Sequence, residues 1–349
     1  MKKKSAILFS LLVVFSSLVS CVNDITPENG EQPHFNYFQH QHEAPRETVV
    51  VANRGGSSIS FIDAVSNTLI STLTIPDSEP MYVVYVHRYN KIYVGDRRNN
   101  KIHIIDATSK EVEGAIEVGR GVFHMWADGF GKELWVTNDI DNTISVIDLS
   151  SNTVTNTIDL EIKPHDIFLT WNAKKAYVSV INPDVTLPDS IYSFSTRNYE
   201  KTHAQAVGKD PHLFHIAAVN RLYVPCISGG LYTLNGNDLD EVSRIDLPGA
   251  HGIFSSLNPF RYYVTNITGS EVYGLETFDE DDITTISTPE AIPHNIVVNF
   301  FGTKMFVTHS GALADKVTVY NLDRDDIVYE TTVTVGLNPF GIAYYCEKE

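Results

Sequence analysis

Residues 134–160 read LWVTNDIDNTISVIDLSSNTVTNTIDL. Apolar and polar residues alternate with period two through residues 134–138, 143–148 and 153–159, and the residues are Val, Ile, Thr and Trp, which favour strands. The intervening Asp-Ile-Asp-Asn and Leu-Ser-Ser-Asn are turn material. Twenty-seven residues therefore hold three strands in a meander. The same pattern stands at residues 92–118 (IYVGDRRNNKIHIIDATSKEVEGAIEV) and 49–75 (VVVANRGGSSISFIDAVSNTLISTLTI). Weaker copies begin at Ala176 (AYVSVINPD), Leu222 (LYVPCISGG), Tyr262 (YYVTNITGS) and Met305 (MFVTHSGAL). From residue 47 to the end, seven units of about 43 residues follow one another, the size of a four-stranded propeller blade.

The fourth strand of each unit precedes the Tyr-Val-like strand. It reads EPMYVVYV, GVFHMWAD, KPHDIFLT, DPHLFHIA, GAHGIFSS and IPHNIVVN. The first unit lacks this strand, and residues 338–345, NPFGIAYY, supply one with no blade after it. The expected fold is therefore all-β, a seven-bladed propeller of four-stranded blades whose C-terminal strand closes blade 1. Closure of this kind removes free sheet edges. The repeats resemble the YVTN family of seven-bladed β-propellers, whose signature is a Pro-x-Gly-Ile strand, then Tyr-Val-Thr-Asn, then Val-Ile-Asp. The resemblance covers nearly all of residues 47–349 and implies the fold. It says little about activity, because propellers are scaffolds for many functions.

Lys2–Lys4 precede an apolar run, residues 6–19, with the length of a signal-peptide core and too short for a membrane span. The run ends Leu-Val-Ser-Cys21, which resembles a bacterial lipobox and implies cleavage before a lipidated Cys21. The expected organisation is a lipoprotein signal peptide at 1–20, a lipidated tether at 21–46 and the propeller at 47–349. Asp24, Glu28 and Glu31 in the tether resemble the surface-export signals of lipoproteins in gut Gram-negative anaerobes. His34, His40 and His42 follow them, as a metal-binding cluster or as incidental linker residues. The expected location is the outer membrane, at the cell surface, through the lipid anchor. The whole chain carries 26 basic and 43 acidic residues, a net charge of −17. Such a balance argues against nucleic acid as a partner. Three cysteines are too few for a disulfide scaffold. Cys226 and Cys346 fall in different blades at different strand positions and are expected as free thiols.

Propeller topology brings the starts of the inner strands and the ends of the Tyr-Val-Thr-Asn strands to one channel mouth. Aligning the units there gives Met81, Phe123, His165, His212, His251, His294 and Phe340. Four consecutive blades thus offer imidazoles, which suit Zn, Cu, Fe or Ni and also donate to anions. The candidate metal set is His165, His212, His251 and His294. His124 lies one position on in its blade, and His309 stands where a strand-end Asn is usual. Arg54, Arg97, Arg98 and Arg120, with Lys163 and Lys209, fall on the same face. They form either an anion site or ion pairs with Asp96, Asp139, Asp141, Asp184 and Asp189. Tyr82, Trp126 and Phe340 add aromatic surface.

Three functions compete. The architecture resembles surface propeller lipoproteins of gut bacteria that seize cobalamin or ferric siderophores. That resemblance implies capture of a scarce nutrient, foremost an anionic iron chelate, and delivery to an outer-membrane TonB-dependent transporter. The alternative is a lactonase-like hydrolase using channel-mouth histidines, with Asp166, Asp210 and Arg120 as supporting candidates. A structural or protein-binding propeller needs no pocket chemistry. No nucleophile elbow, P-loop or dinucleotide fingerprint is present.

Overall fold

The computed structural model describes residues 46–349 apart from 229, 256–260, 324–325 and 348–349. The leader, Cys21 and the three tether histidines lie outside the described residues. Seven four-stranded antiparallel sheets form a propeller ring. Six of them run in chain order from the inner strand outward. Blade 1 takes its inner strand, Pro339–Cys346, from the C-terminal end of the chain, paired with Glu47–Asn53 so that Thr48 faces Tyr345 and Val51 faces Ile342.

Local chemistry explains the repeat. The Asp that ends each strong Ile-Asp strand caps the next turn. Asp63 Oδ1 accepts from the Val65 and Ser66 amides, Asp106 from Thr108 and Ser109, and Asp148 from Ser150 and Ser151. These are side-chain-closed turns, the role for which short acidic side chains are selected. The apolar face of each blade packs on its neighbour. Val50, Ile59 and Phe61 of blade 1 meet Ile92, Val94 and Ile105 of blade 2, and equivalent clusters fill the other interfaces. Burial between sheets, at about 25 cal/mol per Å² of apolar surface, is what holds the ring together.

Six of the seven inner strands carry a bulge at their start, whereas blade 5 keeps one register from the Pro211–Cys226 bridge to the Phe214–Tyr223 pair. Pro80 pairs with Asp96 and Val83 with Val94, so Met81 and Tyr82 together oppose Gly95. The same shift recurs at Val122/Met125, Pro164/Ile167, Ala250/Ile253 and Pro293/Ile296. A bulge leaves an amide unpaired and re-aims its side chains. Here the Thr of Tyr-Val-Thr-Asn serves both needs. Thr137 Oγ1 accepts from the His124 amide of its own blade and donates to the His165 carbonyl of the next, at 2.9 and 2.8 Å. Thr265 links Gly252 to His294, and Thr308 links Asn295 to Phe340, in the same way. These hydroxyls clasp blade to blade beside the axis.

The cysteines need one correction. Cys226 is a buried free thiol, as expected, and burial pushes its pKa up. Cys346 is disulfide-bonded instead of free. The separation of blades excluded only a Cys226–Cys346 pair, and that pair is not formed.

Candidate ligand site at the channel mouth

One residue near the start of each inner strand turns toward the axis, and six of the seven are aromatic or imidazole. Their rings form a closed circuit. Centroids are 4.5 Å apart for Phe123 and His165, 5.0 Å for His165 and His212, 3.9 Å for His212 and His251, and 4.6 Å for His251 and His294. His294 and Phe340 follow at 4.2 Å, and Phe340 returns to Phe123 at 6.3 Å. The four aligned histidines are thus brought together, but they are only 3–7% exposed. They close the bore as an iris and do not line an open pocket, because seven inward side chains fill the channel at this level.

On the mouth side of the iris stands Asp210, with 37% of its side chain exposed. Its carboxylate lies 3.4 Å from His165 Nε2 and 3.8 Å from His251 Nε2. Asp210 has φ of +55°, and the equivalent positions Gly121, Gly249, Ile292 and Asn338 are also left-handed. The backbone shape belongs to the fold, and the carboxylate is particular to blade 5. Asp189, itself buried, fixes this loop by accepting from the Asp210 amide at 2.8 Å and pairing with Lys209 Nζ at 2.5 Å.

On the other side of the iris, Asp166 is buried among imidazoles. It lies 2.8 Å from His124 Nδ1 and 3.4 Å from His212 Nδ1, and it accepts from the Leu213 amide at 2.9 Å. Burial alone would raise its pKa, but His124 and His212 hold it far below the usual carboxylate range. For His212, burial opposes the charged form and Asp166 outweighs it, so its pKa is raised. Its neighbours go the other way. Burial and the charge of His212 push His165 down to about 4 and His294 down to about 3. Burial and three neighbouring histidines hold His251 well below the ordinary value. The ring is therefore a set of neutral imidazoles around one that a buried carboxylate favours as cation.

Tyr82, His124 and Trp126 do not reach the mouth. With Asp166, Phe214 and Asn295 they line a chamber of about 60 Å³ one step further along the inner strands. Trp126 stacks on Phe168 there at 4.4 Å.

The basic rim is mostly neutralised. Arg54 pairs with Glu79 at 2.8 Å and lies over the Phe340 ring. Arg97 reaches Asp139 at 2.8 Å, Lys163 reaches the same carboxylate at 3.2 Å, and Arg120 pairs with Asp141 at 2.7 Å. Arg98 is exposed on the same rim. Of the two readings of these cations, ion pairing is the one the geometry displays. His309 is 1% exposed, and its two nitrogens lie 2.9 Å from the Ala291 carbonyl and 2.8 Å from Thr318 Oγ1. It ties the second strand of its blade to the third, as Asn53 and Asn138 do through Ser60 and Ser145.

Sequence reasoning weighed Asp166 and Asp210 only as parts of a hydrolase. Their pairing with the aligned histidines was signalled by the adjacent pairs His165-Asp166 and Asp210-Pro211-His212. The threonine clasps carried no chemical motif and were missed.

No protein-family model matches the chain, and no curated protein matches it in sequence. Solved structures do match in shape. The periplasmic gluconolactonase of Pseudomonas aeruginosa is 13% identical with a TM-score of 0.70, over 86% of this chain and 99% of its own. A Bacteroides fragilis protein provisionally described as a 6-phosphogluconolactonase is 14% identical with a TM-score of 0.68, over 86% and 98%. Hydrazine synthase of Kuenenia stuttgartiensis gives 14% and 0.65, over 75% and 88%. At these identities the likeness is one of fold.

Proposed function

We propose that this propeller is an exported binding protein that captures a small molecule at the channel mouth, over the histidine iris. One observation carries the reading: Asp210, partly exposed and free of any lysine or arginine within 4.0 Å among the described residues, stands over three imidazoles on a bore closed beneath it. A closed bore makes a shallow bowl for docking instead of a conduit. Arg98, exposed on the rim beside the paired arginines, is the contact offered to an anion, and an anionic iron chelate is the ligand class first in line. The apolar leader and the resemblance to YVTN propellers and to nutrient-capturing surface lipoproteins support a location at the outer membrane, with the ligand handed to a TonB-dependent transporter.

The test is retention of colour. Purified chain mixed separately with ferric catecholate, cobalamin and haem, then desalted, retains one of them at one equivalent. Substituting the exposed Arg98→Glu lowers retention at least about tenfold with unchanged circular dichroism. Retention of none of the three removes nutrient capture of these classes.

A second reading draws on one geometric fact. Asp166 stands behind His212 Nδ1, and His212 Nε2 is buried without a hydrogen-bond partner. A carboxylate-oriented imidazole is the arrangement of a general base that takes a proton from water attacking a lactone carbonyl. Lactonases among the similar folds make hydrolysis of gluconolactone the assay for it.

A further inference from the structure

The mouth holds donors suited to an ion as well as to a larger ligand. His165, Asp210 and His212 each present one ligand atom, and these atoms lie within 4.8 Å of one another. A divalent ion at about 2.1 Å from each donor would bring tetrahedral ligands to roughly 3.4 Å apart. The cluster therefore needs a contraction of up to about 1.4 Å, and the partly exposed Asp210 is the member with room to move. His212 is 3% exposed, and its Nε2 has no hydrogen-bond partner. Leaving a buried polar nitrogen unpaired costs about 1–3 kcal/mol, which a ligand would recover. Asp166 stands behind its Nδ1 at 3.4 Å, the carboxylate–histidine arrangement that orients metal-binding imidazoles.

We infer that His165, His212 and Asp210 form a site for a divalent first-row transition ion, with Asp166 as the outer carboxylate behind His212 and the exposed mouth as the open coordination position. His251, whose Nε2 is 3.8 Å from Asp210, is placed to join as a further ligand. His294 is not. Its Nδ1 lies 2.8 Å from Asn295 Nδ2, and it sits one blade further from Asp210. Two imidazoles and one carboxylate with a free position suit Zn, Fe or Ni over Ca or Mg, which take oxygen donors. The site shares the mouth with the proposed small-molecule site and does not depend on that reading.

The experiment is a titration of the chelator-stripped full chain with Co²⁺, followed by visible absorption and by equilibrium dialysis, with Zn²⁺ as competitor. One equivalent of Co²⁺ is expected to give ligand-field bands that Zn²⁺ abolishes. Asp210→Ala, at a half-exposed loop position, is expected to weaken Co²⁺ at least about tenfold while circular dichroism and unfolding midpoint stay unchanged. Asp166→Asn, which keeps the shape, is expected to weaken it by about 10–100-fold. Absence of one-equivalent binding overturns the inference. So does binding that Asp210→Ala leaves intact, because the ion then sits elsewhere, such as on His40 and His42. Colour retention of iron chelate, cobalamin or haem by metal-free protein sustains the capture reading even when the metal titration fails, so the two fail separately.

Discussion

Single residues at the strand ends show how one position does one job with different chemistry. Asn53, Asp96, Asn138, Asn266 and His309 all occupy the end of a second strand, and each reaches across to the third. Asp96 accepts from His103 at 3.0 Å and from Asn99 Nδ2 at 2.7 Å. Burial would raise its pKa, but His103, the Glu79 amide and Asn99 bring it down to about 2. Its contribution to stability is full above the unfolded value near 3.8 and is lost as pH falls through about 2. His309 acts in a different window. Burial pushes its pKa from 6.5 down to about 4 against the pull of the Ala291 carbonyl. The folded state thus keeps it neutral, and stability falls as pH drops from about 6.5 to about 4 while the unfolded chain takes up the proton. His309→Asn, the residue other blades use, is expected to preserve stability at pH 7 and to shrink the loss between pH 6.5 and 4. His309→Ala is expected to cost about 1–3 kcal/mol at pH 7 by orphaning buried partners. Urea unfolding at several pH values measures both; an unchanged acid slope in His309→Asn would sink the assignment.

At the scale of the strand, the inner-strand bulge is the device that makes a site possible. In six blades it gives two consecutive residues beside the axis, one in the iris and one toward the chamber. Without it, the alternation of a regular strand would send the second residue into the blade interface. The clasping hydroxyls are the cost of the bulge, since its amide has no strand partner. Thr137→Val keeps the shape and removes the bond. It leaves the His124 amide and the His165 carbonyl buried and unpaired, with an expected loss of about 1–3 kcal/mol. Thr265→Val should behave alike. A surface threonine such as Thr153, changed to Val, serves as the control and should shift stability by less than about 0.5 kcal/mol. Equal effects at both kinds of site would rule out the clasp.

The whole molecule depends on one pairing between distant parts of the chain, Pro339–Cys346 on Glu47–Asn53. Without it blade 1 has no inner strand, and the iris lacks Phe340. Gly341 marks how close the blades come there, since a Cβ on it would lie 2.4 Å from the Met81 carbonyl oxygen and 2.5 Å from Tyr82 Cα. Gly341→Ala is expected to destabilise by about 1–3 kcal/mol through overpacking. Ending the chain at Leu337 is expected to replace a single calorimetric transition by a broad, aggregating one, because Val49–Val51 then offer an open sheet edge. Retention of one sharp transition by the truncated chain would show that closure is dispensable.

By itself the sequence determined the blade count, the strand pattern, the closure and the set of aligned histidines, because each of these is written in local periodicity and spacing. The turn-capping Asp63, Asp106 and Asp148 belong to the same local code. What only the tertiary structure decided was the state of the site. Whether aligned histidines line a pocket or shut it depends on the bore left by seven converging side chains, which no spacing along the chain encodes. Pairing of Arg97 with Asp139, or of Asp166 with His124 and His212, joins different blades, and so does the threonine clasp. Interactions across blades are set by how sheets twist and pack, so they emerge once the ring has closed.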